Sequence, residues 1–349
     1  MRNLYRIIQA TILIVLFGTT FATAQTTTKT AKELVQEGIK LHDEQKYDEA
    51  IAKYKEALKV EPDNLQADYE LAYTLYSSDK MAEAIPYLET IIKSPGASKY
   101  ESYEMLGNIY DIQGKQDEAI KAYNLGIAEK PDYARLRYNL GIVYMGLKKY
   151  TEAEDCAIKG ITLDAKHPGC QWLYATINAE QNKKMKAILG FSSYLLLEPS
   201  GNRAEKAFVR LQDLLTFGVT KKDEKNINIS LPASTLDAKD ESSLSNMALQ
   251  LSAANVIGKN LAPVEQLQEL LKSAFELASE KQADPRDKGF FKNGYINYFA
   301  ALAKTTNMPA FARYVSFSAY KDENLKWFDD HKDALPAFQT WFNTNSRQF

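Results

Sequence analysis

Residues 31–64 read AKELVQEGIKLHDEQKYDEAIAKYKEALKVEPDN, and the alanine at residue 50 sets the rhythm of the first half of the chain. Ala50, Ala84, Ala119, Ala153 and Ala187 follow one another at intervals of 34, 35, 34 and 34 residues. Periodicity of that length marks a repeat array, in which each unit is one supersecondary element. With each ladder alanine at position 20, the repeats begin at Ala31, Leu65, Tyr100, Ala134 and Pro168. Position 8 is always small (Gly38, Ala72, Gly107, Gly141, Ala175), and position 24 is mostly large (Tyr54, Leu88, Tyr123, Ala157, Phe191). Small residues at positions 8 and 20 let the two helices of a repeat cross closely. The large residue at position 24 is expected to pack into the neighbouring repeat. Position 32 is Pro62, Gly96, Pro131, Ala165 or Pro199; proline there removes a donor and stops the second helix. Such an array needs a solvated cap. The segment NRAEKAFVRLQDLL, Asn202–Leu215, fits that role, with Ala207, Phe208, Leu211, Leu214 and Leu215 on one stripe.

The pattern resembles the tetratricopeptide repeat, a helix-turn-helix unit. It is clearest in residues 31–64 and 100–133 and runs over residues 31–201. Position 4, often Trp in that family, is Leu34, Asp68, Tyr103, Arg137 or Gln171 here, and position 27 is Gly126 and Gly160 in the middle repeats. The resemblance implies an all-α solenoid of about five such repeats plus a cap helix, followed by a smaller helical C-terminal region. It also implies that first-helix positions 2, 5, 9, 12 and 13 line a concave groove. Carried over position by position, the partner-binding candidates are Tyr69, Tyr73 and Tyr76, then Glu104, Asn108 and Asp111, then Arg135 and Tyr138, and Trp172. Large aromatic rings and arginine are the residue types that dominate binding surfaces. Packing of some rings between adjacent first helices is the competing reading. Asn108 matches one position of the subclass that clamps a C-terminal carboxylate, but Val35 and Ile39 stand where that clamp is polar, which excludes that ligand.

Residues 1–24 read as a signal peptide: Arg2 and Arg6, then an apolar run over residues 10–22, then Ala22-Thr23-Ala24 as a cleavage site. An exported location, periplasmic or at the cell surface, is the expectation, with no stable membrane span after cleavage. Residues 25–30 form a short leading segment, 31–216 the array with its cap, 217–241 a polar linker and 242–349 a helical, aromatic-rich domain. In the linker Ile227, Ile229 and Leu231 alternate, which fits either a short strand or, the preferred reading, an extended surface loop. Helices are expected over 242–257, 263–279, 288–304 and 309–320, with two short ones around Trp327 and Phe338. Residues 290–349 hold 15 of the 39 Phe, Trp and Tyr residues. They form either a platform for a glycan or peptide or, the favoured reading, a compact core. Phe290, Tyr295, Phe299 and Leu302 fall on one helical stripe.

A net charge of −2 with no dominant basic patch gives no footprint for nucleic acid. Three histidines without chelating spacing, and no phosphate-binding loop or nucleophile elbow, predict no metal, no cofactor and no enzyme. The Asp329-Asp330-His331 run reads as a solvated helix boundary. Cys156 and Cys170 are expected as two buried thiols in preference to a disulfide. Together these features predict a non-catalytic scaffold of the cell envelope with a protein or peptide partner. The alternative is a carbohydrate- or nutrient-binding component of an envelope uptake system.

Overall fold

The computed structural model describes residues 29–223, 226–230, 241–280, 289–347 and 349, with the backbone alone for residues 241–244. The signal-peptide reading, most of the segment 25–30, part of the linker and the expected helix start at Lys288 lie outside them. Contacts divide the chain between Thr90 and Ile91 into two units.

The first unit holds α1 (Ala31–Asp43), α2 (Tyr47–Val60), α3 (Leu65–Ser77) and most of α4 (Met81–Lys93). Its entry is a capping box: Thr30 accepts from the Glu33 N–H at 3.2 Å, while Glu33 accepts from the Thr30 N–H at 2.8 Å. These bonds satisfy donors that the first helical turn leaves open. The second unit continues the pairs: α5 (Tyr100–Ile112) with α6 (Gln116–Glu129), α7 (Ala134–Gly146) with α8 (Tyr150–Leu163), and α9 (Pro168–Glu180) with α10 (Lys184–Leu197). All five ladder alanines are fully buried.

Every repeat turns its chain with one left-handed residue at position 15: Gln45, Asp79, Gly114, Lys148 and Asn182, with φ between 57° and 73°. The N–H of the next residue, always lysine, reaches back to the carbonyl of position 11, as in Lys115 to Tyr110 at 2.8 Å and Lys183 to Asn178 at 2.8 Å. This closure satisfies carbonyls that the helix end would otherwise leave open.

The position-24 ring packs on the neighbouring repeat as expected, Tyr123 sharing an apolar cluster with Leu136, Leu140 and Val143, and it also lies across position 8 of its own repeat. A Cβ on Gly107 would lie 2.6 Å from Tyr123 Cδ1 and 2.7 Å from Cζ, and one on Gly38 would meet Tyr54 in the same way. In these two repeats position 8 is glycine because the facing helix lays a tyrosine ring across it. Where position 24 shrinks to Ala157, Leu173 of the next repeat fills the space over Gly141.

Beyond α10, α11 (Asn202–Leu215) buries Ala207, Phe208, Leu211 and Leu215 of the expected stripe, leaves Leu214 half-buried and keeps its charged face exposed, and the chain continues past it. A hairpin of β1 (Val219–Lys221) and β2 (Ile227–Ile229) follows, antiparallel with Val219 opposite Ile229, where an extended loop was the preferred expectation. Then come α12 (Glu241–Gly258) and α13 (Pro263–Glu280), both packed on α11. The expected third helix is interrupted. A π-helical turn, Lys292–Ile296, precedes α14 (Asn297–Ala303). Helices α15 (Met308–Val315), α16 (Lys321–Asp330) and α17 (Ala334–Thr344) complete the chain. α10 is buried nearly all round because α13, α15 and the π-turn cover its outer side. One apolar core runs from α8 through α10 to Phe338. Of the 15 aromatics in residues 290–349, none is exposed; they are core, as favoured. Cys156 and Cys170 are free and buried. Among the described residues no helix is long and apolar enough to cross a membrane.

Candidate partner-binding face

In the first unit α3 presents Tyr69, Tyr73 and Tyr76 at helical spacing on one side. Tyr73 is 43% exposed. Its ring stacks on His42 of α1 at 5.0 Å and 26°, and Tyr47 meets the same imidazole edge-on at 5.3 Å. His42 Nδ1 is held 2.8 Å from Thr74 Oγ1. A ring backed this way offers area to a partner at little entropic cost. Tyr69 and Tyr76 are half-buried. On the same helix Asp68, 4% exposed, has its carboxyl pushed up to about 6 by burial.

In the second unit the candidates separate into two groups. Glu104 is 7% exposed. Its Oε1 accepts from Asn139 Nδ2 at 3.2 Å and pairs with Arg135 Nη1 at 3.5 Å. Asn139 also donates to Asn108 Oδ1 at 3.2 Å, and the Tyr123 hydroxyl donates to the same oxygen at 2.7 Å. Burial raises the Glu104 carboxyl, against the pull of Arg135 and Asn139. Glu104 and Asn108 thus join α5 to α7 and brace the Tyr123 ring. Asp111 is half-buried, and burial raises its carboxyl too.

Of the remaining candidates Arg135 is exposed, while Tyr138 and Trp172 are half-buried against the apolar core. Arg135 lies over the Tyr133 ring at 5.6 Å, and Tyr133 meets Tyr100 edge-on at 5.0 Å. Tyr138 leans on His167 at 5.8 Å. His167 caps α9 by accepting the Cys170 N–H at 3.1 Å, and burial lowers its pKa. Trp172 lies under the Arg203 guanidinium at 5.4 Å. The sequence reading missed Asn139, Tyr133, His167 and Arg203. Asn139 stands one repeat and one residue beyond Glu104, a separation of 35, and that periodic offset was the available signal.

Among the described residues no three His, Cys, Asp or Glu side chains gather as a metal site. His331 stacks on Trp327 at 4.2 Å at the exposed end of α16.

What the helical pairs define is a repeat scaffold, and the family comparisons agree. Tetratricopeptide-repeat models match residues 41–100, 107–148 and 134–167. Over these residues the chain carries tetratricopeptide repeats. It is similar to the protein O-mannosyl-transferase Tmtc3 of Drosophila melanogaster, 29% identical over 120 residues, which is 34% of this chain and 13% of that protein. It therefore spans about an eighth of that relative's length. Similar solved structures include the MamA protein, 23% identical with a TM-score of 0.43, covering 48% of this chain and 91% of that one. Another is YrrB, described as a tetratricopeptide-repeat protein with an unusual peptide-binding site, 16% identical with a TM-score of 0.42, covering 54% and 97%.

Proposed function

We propose that this chain is a non-catalytic interaction scaffold of the cell envelope that binds a protein or peptide on the first-helix side of its repeats. The observation that carries the reading is a row of partly exposed side chains in the second unit. Arg135 and Tyr138 on α7 and Trp172 on the next first helix, α9, each have the ring or guanidinium held by an aromatic or cationic neighbour. Rings and guanidinium groups held this way make strong contacts at low ordering cost. Tyr73 on its His42 support is a second contact point, in the first unit. The leader-like residues 1–24 support export. The aromatic tail, which motivated the carbohydrate alternative, contributes no exposed ring.

The test is affinity capture from envelope extract by the leaderless chain, with cross-linked peptides read by mass spectrometry. The triple variant Arg135→Ala, Tyr138→Ala, Trp172→Ala should keep its thermal transition and lose the captured protein. Equal capture by wild type and triple variant would refute this assignment.

A further inference from the structure

The π-turn and α10 enclose a second feature, separate from the face above. Arg347 donates to Ser193 Oγ on α10. Its guanidinium lies 5.0 Å over the Tyr298 ring and 6.0 Å over Phe299. Phe349 enters an aromatic slot, 5.1 Å from Phe290 and 5.2 Å from Tyr295. The floor of the slot is Gly294, where a Cβ would fall inside the Phe349 ring. Tyr295 is locked behind it: fully buried, stacked on Tyr174 at 5.2 Å, its hydroxyl donating to Gln171 Oε1 at 2.6 Å. The slot walls are thus set by α9, α10, the π-turn with Phe290 before it, and α14, without help from the residues that fill it.

The filling is held by unusual means. Among the described residues no carboxylate pairs with Arg347; its partners are a hydroxyl and two rings. A guanidinium taken from water without a counter-charge gives back much of what its contacts gain. Cation–π contacts offset part of that loss. The segment is therefore held by shape and ring contacts, with little net surplus to resist exchange.

We propose that this slot is a peptide-binding site for an arginine followed two residues later by an aromatic ring, with Arg347 and Phe349 as its occupant in cis. A peptide of the same chemistry exchanges with them in trans.

The test uses a fluorescein-labelled peptide of sequence TNSRQF, residues 344–349, with its own carboxyl amidated. The full chain carrying Arg347→Ala and Phe349→Ala should bind it saturably by anisotropy. Wild type should bind at least about tenfold more weakly, because a tethered segment competes at high effective concentration. Adding Gly294→Ala to the double variant is tolerated, since the ring it would strike is gone, and it should abolish binding. A TNSAQA peptide should not bind. No saturable binding by the folded double variant up to millimolar peptide, or binding that survives Gly294→Ala, overturns the proposal. Should the double variant lose its cooperative thermal transition, wild type labelled with 4-fluorophenylalanine at residue 349 decides the matter. Its slot-packed fluorine resonance should shift to that of a free ring as TNSRQF is added, and a resonance unmoved at millimolar peptide overturns the exchange. Residues of the first-helix face play no part in this site, so either reading can fail alone.

Discussion

Gly107→Ala tests the packing rule that builds the repeats. The added methyl would sit 2.6 Å and 2.7 Å from Tyr123 ring carbons, where carbon pairs prefer roughly 3.5–4.0 Å. The ring has nowhere to go. Tyr123 is buried, and its hydroxyl is fixed to Asn108 at 2.7 Å. Overpacking of this kind costs about 1–3 kcal/mol, and the fixed ring argues for the upper half of that range. Alanine gains roughly 0.5–1 kcal/mol over glycine in a helix interior. The net expectation is a loss of about 1–2 kcal/mol, or a fall in Tm of roughly 2–8 °C for a unit of this size. Urea denaturation followed by circular dichroism reads it. Gly146→Ala, with open space around its Cβ, should cost nothing. Tyr123→Leu alone loses ring packing and leaves Asn108 short of a donor. Combined with Gly107→Ala it should cost less than the two added together, by about 1 kcal/mol or more. A Gly107→Ala variant as stable as wild type, or strictly additive effects, would refute the reasoning.

Other expectations follow from buried groups. The Asp68 carboxyl, raised to about 6, lets the folded state hold its proton where the unfolded chain has released it, so stability falls as pH rises from about 4 to about 6. Asp68→Asn should therefore stabilise the first unit at pH 7, with a ceiling of about 3 kcal/mol, and give no gain at pH 4; equal effects at both pH values would contradict the assignment. Burial pushes the Cys156 thiol up to about 11 and Cys170 up to about 12. Both should ignore a thiol reagent at pH 8 until denaturant is added, and fast labelling of the native chain would show the core is open there. Tyr295→Phe removes the donor to Gln171 and should cost about 1–3 kcal/mol, measured by thermal melting, because a buried acceptor is left unpaired.

The array was legible because its determinants are local and repeat: small residues at positions 8 and 20 mark close crossings whatever the neighbours. The second contact of position 24, across its own repeat's glycine, was not, since the sequence shows a large residue without naming every helix it touches. The tail core was partly visible. Phe290 and Tyr295 are five residues apart, too far for one turn of an α-helix, and that spacing is what the π-turn Lys292–Ile296 accommodates. The contacts that seat the tail on the array, Tyr295 with Gln171 and Arg347 with Ser193, join residues 124 and 154 positions apart. No periodicity encodes such pairs. On the candidate face, burial was not legible in the sequence. Glu104 and Asn108 sit at groove positions and yet bond to neighbouring helices, because Asn139 lies within reach of both.

The turns at position 15 bear on how far such a chain can drift. Their closing bonds run between main-chain atoms, and the one demand is a left-handed backbone. Gln45, Asp79, Gly114, Lys148 and Asn182 all meet it, at a strain of roughly 1 kcal/mol for the residues with a side chain. Side-chain identity at the bend is free to wander while the geometry stays put. Residues 168–201 illustrate the outcome: helices α9 and α10 close around Asn182 like the pairs before them, although the matched repeat models stop at residue 167. Ancestry written in side chains fades sooner than a bend written in the main chain.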